Sequence, residues 1–151
     1  KGIDSEAFKS QIKNKGRYIG VLGSGMENIY PPENKPYVDE IIENGAFISQ
    51  RLVNERADQQ SLRNRNRISA ELSIGSIFIE GTYKSGTLWQ YKYSKAANRL
   101  NFYLEPKNWD HENSYICKMI KEDGGIQINN DLSNVEEIID LCHPKADLKE
   151  G

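Results

Sequence analysis

Five short runs rich in β-branched and aromatic residues alternate with segments of helical period, and that alternation limits the possible architecture more than any other feature of the chain. The runs are "RYIGVL" (17–22), "AFIS" (46–49), "IGSIFIE" (74–80), "LNFYLE" (100–105) and "GGIQI" (124–128). Glycine or polar residues bound them, so each reads as a buried strand. Strands joined through helices pair in parallel, because a parallel crossover needs a dozen or more residues and a helix supplies them. The expected fold is therefore α/β: a doubly wound, mostly parallel sheet with helices on both faces. Ligands of such sheets sit at the carboxyl ends of the strands. That rule picks out "GSGMENIYP", the loop through Gln60, "GTYKSG" and "EPKNWD".

The helical segments carry their own punctuation. "DSEAFKSQIKNKG" offers Asp4 as N-cap, Phe8 and Ile12 at helical spacing, and Gly16 as a stop. In "ENKPYVDEIIENG" an apolar stripe of Val38, Ile41 and Ile42 ends at Gly45. Further helices are expected up to Ser73, over "TLWQYKYSKAAN", over "SYICKMIKED" and over "NVEEIIDLC". The result is one domain over residues 1–142, with 143–151 a disordered tail. The chain opens on a helix where a doubly wound sheet opens on a strand, so the fold is expected to be incomplete at its N-terminal side.

Composition removes several classes of function. The 37% of apolar and 28% of charged residues suit a globular protein. No apolar run nears the roughly 18 residues of a membrane span, and a cytoplasmic protein without membrane contact is expected. Cys117 and Cys142 form no CxxC pair and read as idle thiols, while His111 and His143 sit in no ligand-spaced cluster. Neither a metal nor a cofactor is expected. No serine nucleophile with a nearby histidine, no Walker motif and no HExxH motif is present, so catalysis finds no support.

Charge is distributed unevenly. The net charge is −2, yet residues 61–99 hold seven Lys/Arg against two Asp/Glu, while residues 100–151 hold five against eleven. The basic block contains "LRNRNRISAELS" (62–73). At 100° per residue Arg63 and Arg67 share one helix face, Ile68 and Leu72 lie on the far side, and Arg65 falls beside the apolar pair. Guanidinium groups bind phosphate bidentately, and Asn66 adds amide donors. Internal pairing of Arg65 with a carboxylate is the competing reading. Lys84, Ser85 and Gly86 in "YKSGT" could hold an anion at a helix start, and Gly23 and Gly25 permit close backbone approach after the first strand. In "LWQYKYSKAANR", Trp89, Tyr93 and Ala96 form a stripe that either stacks bases, with the interleaved lysines on phosphate, or belongs to the core or a dimer contact.

Taken together, "IGVLGSGMENIYPPEN", "ENGAFIS", "RNRIS", "YKSGT" with "NRLNFYL", and "MIKEDGGIQI" resemble, in order, motifs of the DNA-processing protein A family, also called Smf. The resemblance runs from Gly2 to about Ile139. It implies a Rossmann-like domain that binds and protects single-stranded DNA, helps load a RecA-type recombinase in natural transformation, and pairs as a homodimer. Carried over residue by residue, it assigns Arg65, Asn66 and Arg67, with Ser85 and Gly86, to DNA, and matches Gly23 and Gly25 to the family's glycine turn. Departures are plain: Phe8 stands where the family has histidine, Leu62 replaces an aromatic, Arg63 a proline, and "WQYKYSK" a run of small residues. The family's first strand with its Gly-Ser-Arg phosphate loop is not among these residues. The competing function is a nucleotide-binding enzyme of the phosphoribohydrolase type on a related fold, with Glu80 as its candidate catalytic group; that family's Pro-Gly-Gly-x-Gly-Thr motif is lacking.

Overall fold

A computed structural model of the chain describes residues 3–30 and 32–143. The chain divides into two compact units, Lys1–Ser69 and Ala70–Gly151. The tail expected from residue 143 lies, from 144 onward, outside the described residues.

The N-terminal unit holds α1 (Ile3–Lys13), β1 (Ile19–Leu22), α2 (Val38–Asn44), β2 (Ala46–Ser49) and most of α3 (Gln59–Leu72). β1 and β2 pair in parallel, from Ile19 opposite Ala46 to Leu22 opposite Ser49. The crossover between them passes through α2, as a parallel pair requires. Phe8 of α1 is buried edge-on against Tyr18 and Tyr37, at ring-centroid distances of 5.0 and 5.4 Å. An apolar ring suits that site, where the family pattern has histidine. Ile41 is buried, but Ile42 is 57% exposed, so the expected stripe of α2 narrows. The helix is only seven residues long, and Ile42 lies a full 100° round from Ile41.

Gly45 follows α2 for a different reason from the one expected. Its φ of −159° is extended, not left-handed. A Cβ at this position would meet the Tyr18 carbonyl oxygen at 1.8 Å, and Ala46 N–H donates to the same oxygen at 3.0 Å. The close approach of the neighbouring chain demands glycine here, not a helix cap. At the end of α1 the left-handed residue is Lys15, with φ 53°, and not Gly16.

The C-terminal unit is a three-stranded parallel sheet in the order β3 (Gly75–Phe78), β4 (Leu100–Leu104), β5 (Ile126–Ile128), wound by α4 (Thr87–Ala96), α5 (Tyr115–Glu122) and α6 (Val135–Cys142). Successive residues of a strand point to opposite faces, and β4 uses both. Tyr103 joins Phe78, Tyr91, Ile116, Cys117 and Ile120 in the core under α4 and α5. Phe102 joins Ile128 and Ile138 under α6. Helices thus cover both faces, which is the doubly wound α/β arrangement expected. Cys117 lies in this core, where its thiol donates to the Ile79 carbonyl at 3.5 Å and burial pushes its pKa up to about 11. Both cysteines are free thiols.

On α4 the packing departs from expectation. Tyr91 and Ser94 are the buried residues, with Leu88 against the core, whereas Trp89 is 37% exposed and Ala96 is exposed. The stripe of Trp89, Tyr93 and Ala96 is therefore not the inward face. Leu88 starts that inward face, and Tyr91 follows it at i+3.

Candidate nucleic-acid interface

The arginine helix α3 begins where Asp58 caps it. The Asp58 carboxylate accepts the Ser61 N–H at 2.7 Å, and Asp58 N–H donates to the Ser61 hydroxyl at 2.9 Å. This reciprocal pair is a capping box with aspartate and serine in the usual roles exchanged. The Ser61 backbone hydrogen bond, and then the neighbouring Arg51, hold the Asp58 carboxyl below the usual aspartate range. Arg51 pairs directly with Asp58 and approaches Glu55 at 3.7 Å. Its own N–H donates to Ser49 Oγ at 2.9 Å, and Ser49 Oγ donates to the Ser24 carbonyl at 2.8 Å. Arg51 is thereby anchored just past the carboxyl end of β2.

A cleft of about 200 Å³ opens at that point, lined by Leu22, Gln50, Arg51, Asn64, Arg65 and Ile68 among others. Leu22 ends β1, so the cleft lies where doubly wound sheets bind their ligands. Arg51 and Arg65 both line it, and the Nε of each is buried without a hydrogen-bond partner. A buried N–H left without an acceptor costs about 1–3 kcal/mol, more when charged, so these two groups mark an unsatisfied spot in the fold. The charge of Arg65 also acts on Tyr18, whose pKa burial raises and Arg65 lowers in part.

The other residues of the arginine segment divide as helical geometry requires. Arg63 and Arg67 are exposed, whereas Asn64, Arg65, Asn66 and Ile68 are half-buried. Leu72, expected on the apolar side with Ile68, is 64% exposed. The glycine turn after β1 packs inside its own unit. A Cβ on Gly23 would meet the Leu62 side chain at 2.8 Å, and one on Gly25 would meet the Leu52 carbonyl oxygen at 1.9 Å. Gly25 N–H donates to Glu55 O at 2.8 Å, so the close approach at this glycine is to the chain's own 52–55 loop.

In the C-terminal unit, Thr82–Gly86 forms a separate small loop. Ser85 N–H and Oγ both donate to the Thr82 carbonyl, at 3.1 and 3.0 Å, which closes the turn ahead of α4. A Cβ on Gly86 would meet nothing within 4 Å. Lys84 places its ammonium 5.2 Å from the Tyr83 ring centroid. Glu80 accepts the Asn113 side-chain amide at 3.4 Å. Among the described residues no group of three or more His, Cys, Asp or Glu comes together, and no helix is long and apolar enough to cross a membrane.

Sequence reasoning singled out the loop through Gln60 but no residue in it. Arg51, Gln50, Gln60 and Asn64 all line the cleft. The available signal was position: Arg51 lies two residues beyond the end of β2, where the carboxyl-end rule applies.

Parallel strands wound by helices, with an arginine-lined cleft at the strands' carboxyl ends, define a Rossmann-like α/β protein. The family model of DNA recombination-mediator protein A matches residues 1–141, and the chain belongs to that family. It is 35% identical over 123 residues to protein Smf of Synechocystis sp., covering 82% of this chain and 31% of that protein. It is 37% identical over 87 residues to the DNA processing protein DprA of Bacillus subtilis, covering 58% of this chain and 29% of that protein. The chain thus spans about a third of the length of these relatives. The crystal structure of DNA processing protein A from Streptococcus pneumoniae superposes with a TM-score of 0.76 at 26% identity, covering 91% of this chain and 48% of that one. A DNA processing protein A from Helicobacter pylori, solved for its single-stranded DNA binding mode, superposes with a TM-score of 0.72 over 89% of this chain and 71% of its own. At 18% identity that likeness establishes the fold.

Proposed function

We propose that this chain is the Rossmann-like part of a DNA-processing protein, and that it binds single-stranded DNA without catalysing a reaction on it. The observation that carries the reading is the cleft of the N-terminal unit, where Arg51 and Arg65 each keep a buried Nε–H without an acceptor. A phosphodiester oxygen is the right acceptor: it is anionic, and it matches the guanidinium fork. Arg65 takes the inner phosphate, Arg63 and Arg67 offer charge from the exposed face of α3, and Asn66 adds amide donors. Lys84 meets a further phosphate at the turn that Ser85 and Gly86 shape, while Gly23 and Gly25 keep the turn after β1 tight. The naming of the Helicobacter pylori relative for its single-stranded DNA binding favours the same ligand. By family, the chain works in the cytoplasm with a recombinase during transformation and pairs with a second copy.

The test is a salt titration of binding to single-stranded and duplex oligonucleotides of equal length. The single strand should bind more tightly, with log K falling linearly in log salt at about −0.7 per neutralised phosphate. Salt-independent binding, or a duplex preference, would overturn the reading.

A further inference from the structure

We infer that Tyr83 and Tyr115 form a stacking platform for an unpaired nucleobase at the carboxyl edge of the C-terminal sheet. The inference rests on the single-stranded DNA reading and deepens it: the arginine cleft addresses the sugar-phosphate chain, and this site addresses the bases.

Tyr83 lies in the loop after β3, and Tyr115 is the first residue of α5. Two backbone hydrogen bonds fasten those segments together: Gly81 N–H donates to Asn113 O at 2.7 Å, and Ile116 N–H to Gly81 O at 3.1 Å. Gly81 itself leaves no room for a side chain, since a Cβ there would meet Ile116 Cγ1 at 2.8 Å. The loop is thus held against the start of α5, and the two rings meet at 6.1 Å with planes 67° apart.

Both rings nevertheless remain open, Tyr83 at 56% and Tyr115 at 40% exposure. Two exposed aromatic rings fixed by backbone hydrogen bonds lose little freedom on binding, which is what a stacking surface needs. In an edge-on pair the face of one ring stays open to a third planar group. The Lys84 ammonium lies over the Tyr83 ring, 5.2 Å from its centroid, which leaves the ring's other face for a base and puts positive charge at hand for the phosphate that accompanies it. Two carboxylates of the flanking segments are engaged: Glu80 by Asn113 at 3.4 Å, and Asp110 by Lys118 at 3.7 Å. The occupant this arrangement fits is an unstacked base of a single strand. Every base has a π-face, so the contact is tolerant of sequence.

The experiment compares a labelled oligothymidylate with an abasic deoxyribose-phosphate polymer of the same length, by fluorescence anisotropy on the 151-residue chain. The unsubstituted chain should prefer the base-bearing strand by about ten-fold. Tyr83→Ala and Tyr115→Ala should each erode that preference, while abasic affinity and salt slope stay unchanged. Tyr83→Phe should retain the preference, since the ring persists. Circular dichroism confirms that each variant is folded. A preference that survives both alanine substitutions, or no preference in the unsubstituted chain, overturns the inference but leaves the DNA-binding reading standing. If the alanine variants alter only self-association, the rings belong to a contact between copies, which also overturns it. Failure of the folded chain to bind either polymer overturns both readings. Arg65→Ala separates the two sites, because it should weaken both polymers by the same factor.

Discussion

Each unit has a cleft flanked by two cations, and the two clefts treat those cations oppositely. In the C-terminal unit a cavity of about 300 Å³ is lined by Lys95 and Arg99. Lys95 lies 2.7 Å from Asp123, Tyr91 donates its hydroxyl proton to the same carboxylate, and Arg99 Nη2 donates to the Glu71 carbonyl at 2.6 Å. Asp123 is accordingly held below the usual aspartate range, first by Lys95 and then by Tyr91. Its pull, added to burial, raises the Tyr91 pKa, so that phenol stays neutral. In the N-terminal cleft Arg51 also has carboxylate partners, yet its Nε and that of Arg65 remain buried without acceptors. Similar charge therefore means different things: in one cleft each cation has a hydrogen-bond acceptor, and in the other the Nε of each arginine lacks one. Cation count alone would rank the two equally, whereas hydrogen-bond accounting separates them.

The largest expected effect sharpens the contrast between a filled core and an open cleft. Phe102→Ala should cost about 3–5 kcal/mol of stability, read as a lowered urea midpoint, because Phe102 is 1% exposed in a packed cluster. The folded fraction should keep its DNA affinity. A second expectation concerns the dryness of the same unit. With its thiol pKa raised from 9.0 to about 11, Cys117 should present about a hundred-fold less thiolate near pH 8 than an ordinary cysteine. Native-state alkylation should therefore label half-buried Cys142 first and Cys117 only on unfolding. Equal labelling of the two would show that this core is more open than its packing implies.

Acid should act on the N-terminal cleft through Asp58. Its folded pKa is lowered, so its contribution is present above the unfolded value of about 3.9 and is lost as pH falls through the folded value. The start of α3 should fray in that acidic window, and Asp58→Ala should destabilise the chain at neutral pH but no longer at pH below the window. Denaturant midpoints of both proteins across pH check this. The smallest effect is a deliberate near-zero: Lys95→Ala, where the ammonium is already paired with Asp123, should leave single-stranded DNA affinity within about two-fold. A large loss there would erase the distinction between the clefts.

Much of this was legible in sequence because it depends on local period. Among the described residues the five strands and six α-helices follow from alternation and helical spacing, and the division of Arg63 and Arg67 from Arg65 follows from 100° per residue. What stayed hidden depends on neighbours far along the chain. Trp89 and Tyr93 form an apolar stripe by spacing, but the β3–β4 sheet receives Tyr91 instead. Gly45 resembles a helix stop, yet Tyr18, 27 positions earlier, dictates it. Arg51 carries no motif; only the folding of β2 against β1 brings it beside Arg65. Tyr83 and Tyr115 are 32 residues apart, and hydrogen bonds through Gly81 join them.

The most direct measurement is single-stranded DNA affinity as a function of salt for the unsubstituted chain and for Arg65→Ala. With Arg65 on phosphate, the variant should bind about ten-fold more weakly at low salt, its slope should be shallower by about 0.7, and its denaturant midpoint should be nearly unchanged. An unchanged affinity and slope in a folded variant would contradict the assignment of the N-terminal cleft to DNA.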